Sequence, residues 1–271
     1  PDWGGRWYHR FRPLTEAAGG FDAVRDVKTG HGALGALYTT PKEGDSWTFT
    51  YLIPNGLSDP EQPSWGSWGG RYGKRANPLP EGAKPAAAGA PVGDAFYWAD
   101  VADTWQGKTN RDNTAARWAE ALQNDFKARL DWCATDKFEA ANHPPQPYLQ
   151  DSTGREGMTV KVACVKLISL TARGSKDPDG DTLSYRWSVY AEAGSYTGEV
   201  TIRDPQRSEA VLRVPTEAAG KTIHVVLAAT DDGEPSLTRY RRIIIEAGPP
   251  PQEMVPFLKP DEAIAIMTYP E

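Results

Sequence analysis

Residues Asn113 to Trp132 read NTAARWAEALQNDFKARLDW, and their spacing predicts an amphipathic helix with a carboxylate on its apolar side. At about 100° per residue, Trp118, Leu122, Asp125, Arg129 and Trp132 fall on one stripe, with Ala115, Ala119 and Phe126 beside it. A lone carboxylate among apolar residues loses much of its hydration, so it is paired, neutralised or bound to a cation. Two readings of Asp125 follow: an ion pair with Arg129 one turn on, or a metal or substrate ligand aimed into a cleft. Asp112 or Asn113 is the N-cap candidate, since either side chain can accept a hydrogen bond from a first-turn amide. The helix is expected to end near Cys133, and Pro144-Pro145 closes off the segment.

Upstream, Trp47 to Ile53 is rich in aromatic and β-branched residues and predicts a strand ended by Pro54-Asn55-Gly56. Its apolar end suits a sheet covered on both faces. Ligands collect beyond the carboxyl ends of strands in open α/β sheets, which makes Asn55 a contact candidate; Asn-Gly is equally an ordinary turn signal. The loop SWGSWGGRYG (Ser64 to Gly73) follows, its glycines permitting close backbone approach. Nine of the ten tryptophans precede Ser152, and they serve either a large aromatic core or flat sugar-binding faces. Trp65 and Trp68 are the better candidates for the second role. His31, between two glycines, reads as an incidental loop residue. Asp100 and Asp103 are open to three roles: sugar contact, cap or solvated group. Lys74 to Gly93, rich in Pro, Ala and Gly, reads as a surface excursion.

From Gln150 the pattern changes to short strands separated by turns, among them MTVKVACVKLISLTA, SYRWSVY, KTIHVVLAATDDG and LTRYRRIIIEA. That spacing predicts an antiparallel β-sandwich with Trp187 in its core. DPDGD (Asp177 to Asp181) has the oxygen-rich composition that holds calcium, but it is short and lacks a distal Glu, so it reads as an Asx-type turn. Asp231-Asp232-Gly233 reads as another turn, and His224 as a structural residue in a strand. After Ala247, GPPPQEM reads as a stiff linker to a tail.

Composition narrows the classes. A content of 39% hydrophobic and 24% charged residues is that of a folded globular protein, and no run approaches the roughly 18 apolar residues of a membrane span. The net charge of −6, with both signs interleaved, gives no footprint for nucleic acid. Cys133 and Cys164 are expected as free thiols. The chain starts at Pro1 without an initiator Met or a signal segment, which reads as a processed or truncated product.

Three motifs in order carry a family resemblance: SWGSWGGRYG, QNDFKARLDW (Gln123 to Trp132) and EAANHPP (Glu139 to Pro145). Together they resemble the nucleoside-hydrolase-like proteins of polysaccharide-degrading bacteria, a family described as cellulose-binding, in which an immunoglobulin-like domain follows. The fold implied is α/β plus all-β: an incomplete parallel-sheet domain over 1–147, an immunoglobulin-like sandwich over 148–247, and a linker and tail over 248–271. The resemblance implies hydrolysis of an N-glycosyl or related glycosyl bond by calcium-activated water, with Asp125 as a calcium ligand. Asn55, Trp68, Gly69, Gly70, Arg71 and Asn124 would line the sugar side. Trp68 stands where the family's Met-Gly-Gly motif has Met, and Asn124 stands where it has His. The family's first-strand Asp cluster has no counterpart here, so the catalytic residues stay unassigned and the chain is expected to be the C-terminal portion of a longer protein. The resemblance also implies a carbohydrate or nucleoside-like partner and a secreted or periplasmic location. A non-catalytic carbohydrate-binding protein is the alternative, and a structural module a third.

Overall fold

The computed structural model of the chain describes residues 22, 24–37, 50–76 and 96–251. It shows a mixed fold, with helices and short strands first and a β-rich part after them. A π-helical turn over Val24–Lys28 leads into α1 (Gly32–Leu37), and Val27 packs against Leu130. His31, expected to be exposed, is buried between these elements. Its Nδ1 lies 2.9 Å from the Val27 carbonyl and its Nε2 lies 2.8 Å from Asp131 Oδ1. The partner is 100 positions away, beyond the reach of local sequence reading.

Before residue 147 the described strands form two antiparallel ribbons. β1 (Tyr72–Ala76) pairs with β2 (Phe96–Asp100), and β3 (Asp103–Trp105) pairs with β4 (Lys108–Asn110). No parallel pair lies among the described residues before 147. The strand expected over Trp47 to Ile53 is corrected where it is described: Thr50 is helical and Tyr51-Leu52 form a turn. Aromatic and β-branched residues fit a strand only when neighbours pair with it, and here Tyr51 instead donates to the Asp59 carbonyl. Residues 47–49 of that stretch, the excursion at 77–93 and the tail from 252 lie outside the described residues.

The predicted long helix is present in two pieces, α2 (Asn113–Ala116) and α3 (Ala119–Ala134), with Arg117-Trp118 between them. Asp112 occupies the N-cap position of α2 but makes no side-chain cap hydrogen bond. Asn113 turns its amide to donate to the Asp103 and Lys108 carbonyls, which fixes the β3–β4 ribbon to the helix start. Ala119, Leu122, Asp125, Ala128 and Leu130 are buried along α3, close to the expected stripe.

The remaining strands make a two-sheet sandwich. β5 (Met158–Ala163), β6 (Leu167–Thr171), β7 (Ser184–Val189), β8 (Ile202–Arg203), β9 (Glu209–Arg213), β10 (Thr222–Thr230) and β11 (Thr238–Gly248) divide into sheets ordered β5-β11-β10-β7 and β6-β9-β8. All pairings are antiparallel except β5 with β11, a departure from the purely antiparallel expectation. Leu170, Trp187, Leu212, Val225, Leu227 and Ile243 fill the space between the sheets. Trp187 occupies the core as expected and donates its indole N–H to the Arg207 carbonyl.

β10 and β11 are buried on their second face too. His224, Val226 and Ala228, with Tyr240 and Arg242 across the ladder, point away from the sandwich core toward the preceding part of the chain. There, Leu57, Trp68, Ala119, Leu122 and Tyr190 form a second apolar cluster with Val226 and Tyr240. Arg242 is fully enclosed and donates to the carbonyls of Leu57, Trp65 and Gly66, so one guanidinium ties the 57–66 loop to the sheet. Gly56 makes the approach possible. At φ +84° its absent Cβ would stand 1.9 Å from the Tyr240 carbonyl oxygen.

Candidate functional site

Two buried carboxylates organise the junction of helix, glycine loop and sheet. Asp125 is 1% exposed, and its oxygens are divided between two guanidiniums: Oδ2 accepts from Arg129 Nε at 2.6 Å, and Oδ1 from Arg239 Nη2 at 2.7 Å. The intrahelical pair is therefore present, joined by an arginine of β11. A calcium ion does not fit this arrangement. Both oxygens already accept charged N–H groups, and a dication would meet two positive charges where it needs several free oxygen ligands. The expected calcium role of Asp125 is corrected to that of an ion-pair anchor between α3 and β11.

Asp103 is the second centre, fully buried at the start of β3. Arg71 donates to its Oδ1 at 2.7 Å, while Arg117 and the Tyr190 hydroxyl reach Oδ2 at 3.3 and 2.5 Å. Burial, together with the adjacent Asp103 charge, raises the Tyr190 phenol well above its ordinary range, so it stays protonated and donates. Arg71 thus belongs to this clasp.

The other expected sugar-side residues divide. Trp68 is wholly buried, its ring edge-on to Tyr240 and its indole N–H aimed at the Tyr240 hydroxyl. Gly69 and Gly70 are buried in the turn that Ser67 closes with Gly70. With Arg71, these three line neither of the two clefts described below. Trp68 is corrected from a sugar platform to a core residue, because it is wholly buried in the cluster with Leu57, Ala119, Leu122 and Tyr240. Asn55 and Asn124 do line clefts.

The first cleft, about 390 Å³, lies beside Asn55, the Pro144–Pro147 segment, Arg155, Lys176 and Arg241. Asn55 Oδ1 accepts the Leu57 amide, while Nδ2 is buried without a partner among the described residues. The second cleft, about 350 Å³, runs between the start of α3 and the outer face of β7, β10 and β11. Trp105 and Trp118 are half-buried there with Arg117, Glu120 and Asn124 around them, and Arg186 on β7 is exposed at its margin. Trp118 stands edge-on to Tyr190 and Tyr240 at 5.7 and 5.6 Å, so it is braced from below. Its Nε1 has no hydrogen-bond partner among the described residues. Asn124 donates to the Ser236 carbonyl at 2.9 Å. Tyr240 forms part of the wall of both clefts. The two indoles and the ring of polar side chains together suit a ligand with apolar C–H faces and many hydroxyls.

Residues 23–72 match the family model "Cellulose-binding Sde182, nucleoside hydrolase-like domain", and residues 167–247 match "Cellulose-binding protein Sde0182, C-terminal domain". The resemblance is to the Sde182 cellulose-binding proteins. A solved structure described as a nucleoside hydrolase-related hypothetical protein from Saccharophagus degradans, associated with carbohydrate metabolism, is 34% identical, with a TM-score of 0.67 over 83% of this chain. The chain spans 53% of that protein's length. A PKD domain of the KIAA 1837 protein and human CDH23 EC21-23 are each 16% identical, at TM-scores of 0.25 and 0.28. They cover 36% and 38% of this chain, and 85% and 33% of their own. No curated protein matches the chain. In the Sde182-like frame, the nucleoside hydrolase-like match ends at the glycine loop, and the C-terminal match covers the sandwich from β6 onward.

The sequence did not single out Trp105, Glu120 or Tyr240. Trp118 carried a signal as a member of the helix stripe. Tyr240 carried none, because its role depends on a face of β11 that is covered from elsewhere in the chain.

Proposed function

We propose that this chain is a carbohydrate-contacting part of a polysaccharide-binding protein, and that its second cleft takes sugar rings without cleaving them. The observation that carries the reading is the braced Trp118 beside Trp105 in a cleft otherwise lined by hydrogen-bonding side chains. Indole faces cover the apolar side of a pyranose while Arg117, Glu120 and Asn124 reach its hydroxyls. Among the residues lining this cleft, Glu120 is the single carboxylate. Glycoside hydrolysis ordinarily uses a facing pair, which favours binding over hydrolysis for the described residues. A polysaccharide partner implies an extracellular or cell-surface location, and no described helix is long and apolar enough to cross a membrane.

The hydrolase reading for the whole protein is favoured by one observation, the nucleoside hydrolase-like match at 23–72. The two are separated by retention on insoluble cellulose, calorimetry with soluble cello-oligosaccharides, and an assay of released sugar or base. The binding reading expects retention without release, and Trp105→Ala about tenfold weaker, equivalent to about 1.4 kcal/mol. Unchanged affinity in Trp105→Ala removes the second cleft from the proposal, and release by the chain restores the hydrolytic one.

A further inference from the structure

We infer that Asn142, Asp177, Asp179, Asp181 and Asp231 form a calcium site joining the connector before the sandwich to two of its loops. One ligand oxygen each from Asp177, Asp179 and Asp181 lies within 4.8 Å of the others, close enough to share one ion. An acidic loop alone does not make a site, since such loops commonly serve as turns. Part of this one does: Asp177 Oδ1 accepts the Asp179 and Asp181 amides at 2.8 and 3.2 Å.

What the turn leaves over is a set of oxygens with nothing to accept. Asp177 Oδ2, Asp231 Oδ2 and Asn142 Oδ1 are each buried without a hydrogen-bond partner among the described residues. Asp231 and Asn142 are only 4% and 7% exposed. A buried oxygen in this state costs free energy unless something positive faces it. Their orientation is fixed by their other halves. Asn142 Nδ2 donates to Asp231 Oδ1 at 3.1 Å and to the Pro235 carbonyl at 2.8 Å, so the amide cannot be turned round without placing oxygen against oxygen. Asp231 Oδ1 holds the Leu237 and Gly233 amides, which leaves Oδ2 as the spare.

The groups converge at Gly233. A Cβ there would meet both the Asn142 amide and Asp181 Oδ2 within 2.5 Å, so these two side chains are immediate neighbours across the loop. Three carboxylates whose oxygens can share one ion, with the buried Asp231 and Asn142 oxygens beside them, are the donors of a hard cation. A flexible loop offering many oxygens suits calcium, with its six to eight ligands, better than the smaller magnesium.

The position gives the ion a structural task. Asn142 precedes the proline segment of the first cleft, and its carbonyl accepts the Trp132 indole N–H from α3. His143 is stacked on Phe138 and holds Asp179 through its own amide. Calcium would therefore clamp the end of α3 and the connector to the sandwich. This does not depend on the sugar-binding proposal, and its test contains no carbohydrate.

Calcium chloride is titrated calorimetrically into the chelator-treated full chain, and thermal melts are recorded with calcium, magnesium or EGTA. The expected result is one calcium site, an increase in Tm of several degrees that magnesium does not reproduce, and affinity at least tenfold weaker in Asp231→Asn and Asp181→Asn. Asp181→Asn keeps the test valid if loss of the more deeply buried Asp231 impairs folding, and Glu246→Gln, an exposed carboxylate elsewhere, is expected to bind as wild type does. No heat and no shift in Tm at millimolar calcium, or full affinity in Asp181→Asn and Asp231→Asn alike, overturns the assignment.

Discussion

Asp125 illustrates what a single side chain discloses. Its place on an apolar stripe required a positive partner, and Arg129 supplied one that four residues of spacing could reveal. Arg239, 114 residues away, is the other, and no local pattern reports it. The two partners are unequal, since Arg129 is 45% exposed and Arg239 only 12%. Removing one member of a buried pair costs about 3–5 kcal/mol, whereas an exposed pair contributes about 1 kcal/mol or less. Urea unfolding is therefore expected to show a loss of about 3 kcal/mol for Asp125→Asn and for Arg239→Ala, but under about 1 kcal/mol for Arg129→Ala. Equal losses for the two arginines would show that the exposed Arg129 pair contributes as much as the buried Arg239 pair.

His224 gives a second prediction at this scale. Burial, with Arg242 beside it, lowers its imidazole to about 3 from an ordinary 6.5, and Arg242 Nη1 donates to its neutral Nδ1 at 3.1 Å. The folded chain refuses a proton that the unfolded chain accepts. Stability associated with neutral His224 is present above pH 6.5 and declines as pH falls toward 3, by up to about 1.4 kcal/mol per pH unit. A His224→Gln variant should have a flatter acid limb in Tm against pH, and an unchanged limb would exclude this imidazole as its source.

Among the elements, those whose pattern arises within one segment were the most legible. α3 and the sandwich strands showed their periodicity directly, and Trp187 could be placed in the core from its strand. The break at Arg117-Trp118 could not be read, because no glycine or proline marks it. The rule that a continuous apolar run marks a sheet covered on both sides was applied to Trp47–Ile53, but it describes β10 and β11. There the covering layer is a loop and a helix from earlier in the chain. The 50–76 segment should be sensitive at one point in particular. Gly56→Ala is expected to destabilise by more than about 1 kcal/mol, since the added methyl meets the Tyr240 carbonyl and φ is positive. Chemical denaturation measures it, and a loss below a few tenths of a kcal/mol would mean the loop can lift from β11 freely.

For the molecule as a whole, sequence reading found the two kinds of structure but not their contact. The residues expected together on a sugar side fall apart: Asn55 and Asn124 line two different clefts, and Trp68 and Arg71 line neither. Chemistry-bearing residue types were visible, while the side of the sheet they face was decided by chain segments distant in sequence. A fragment of residues 148–251 is expected to bind a hydrophobic dye and self-associate where the full chain does neither, because Val226, Tyr240 and the enclosed Arg242 lose their cover. Dye fluorescence and sedimentation compare the two directly.

The layer over β10 and β11 also bears on heredity. A gene segment encoding only the sandwich could not be spliced into a new host protein as a self-sufficient bead, because it would arrive with an oily flank and a stranded cation. To travel intact it would have to bring α3 and the 50–76 stretch along.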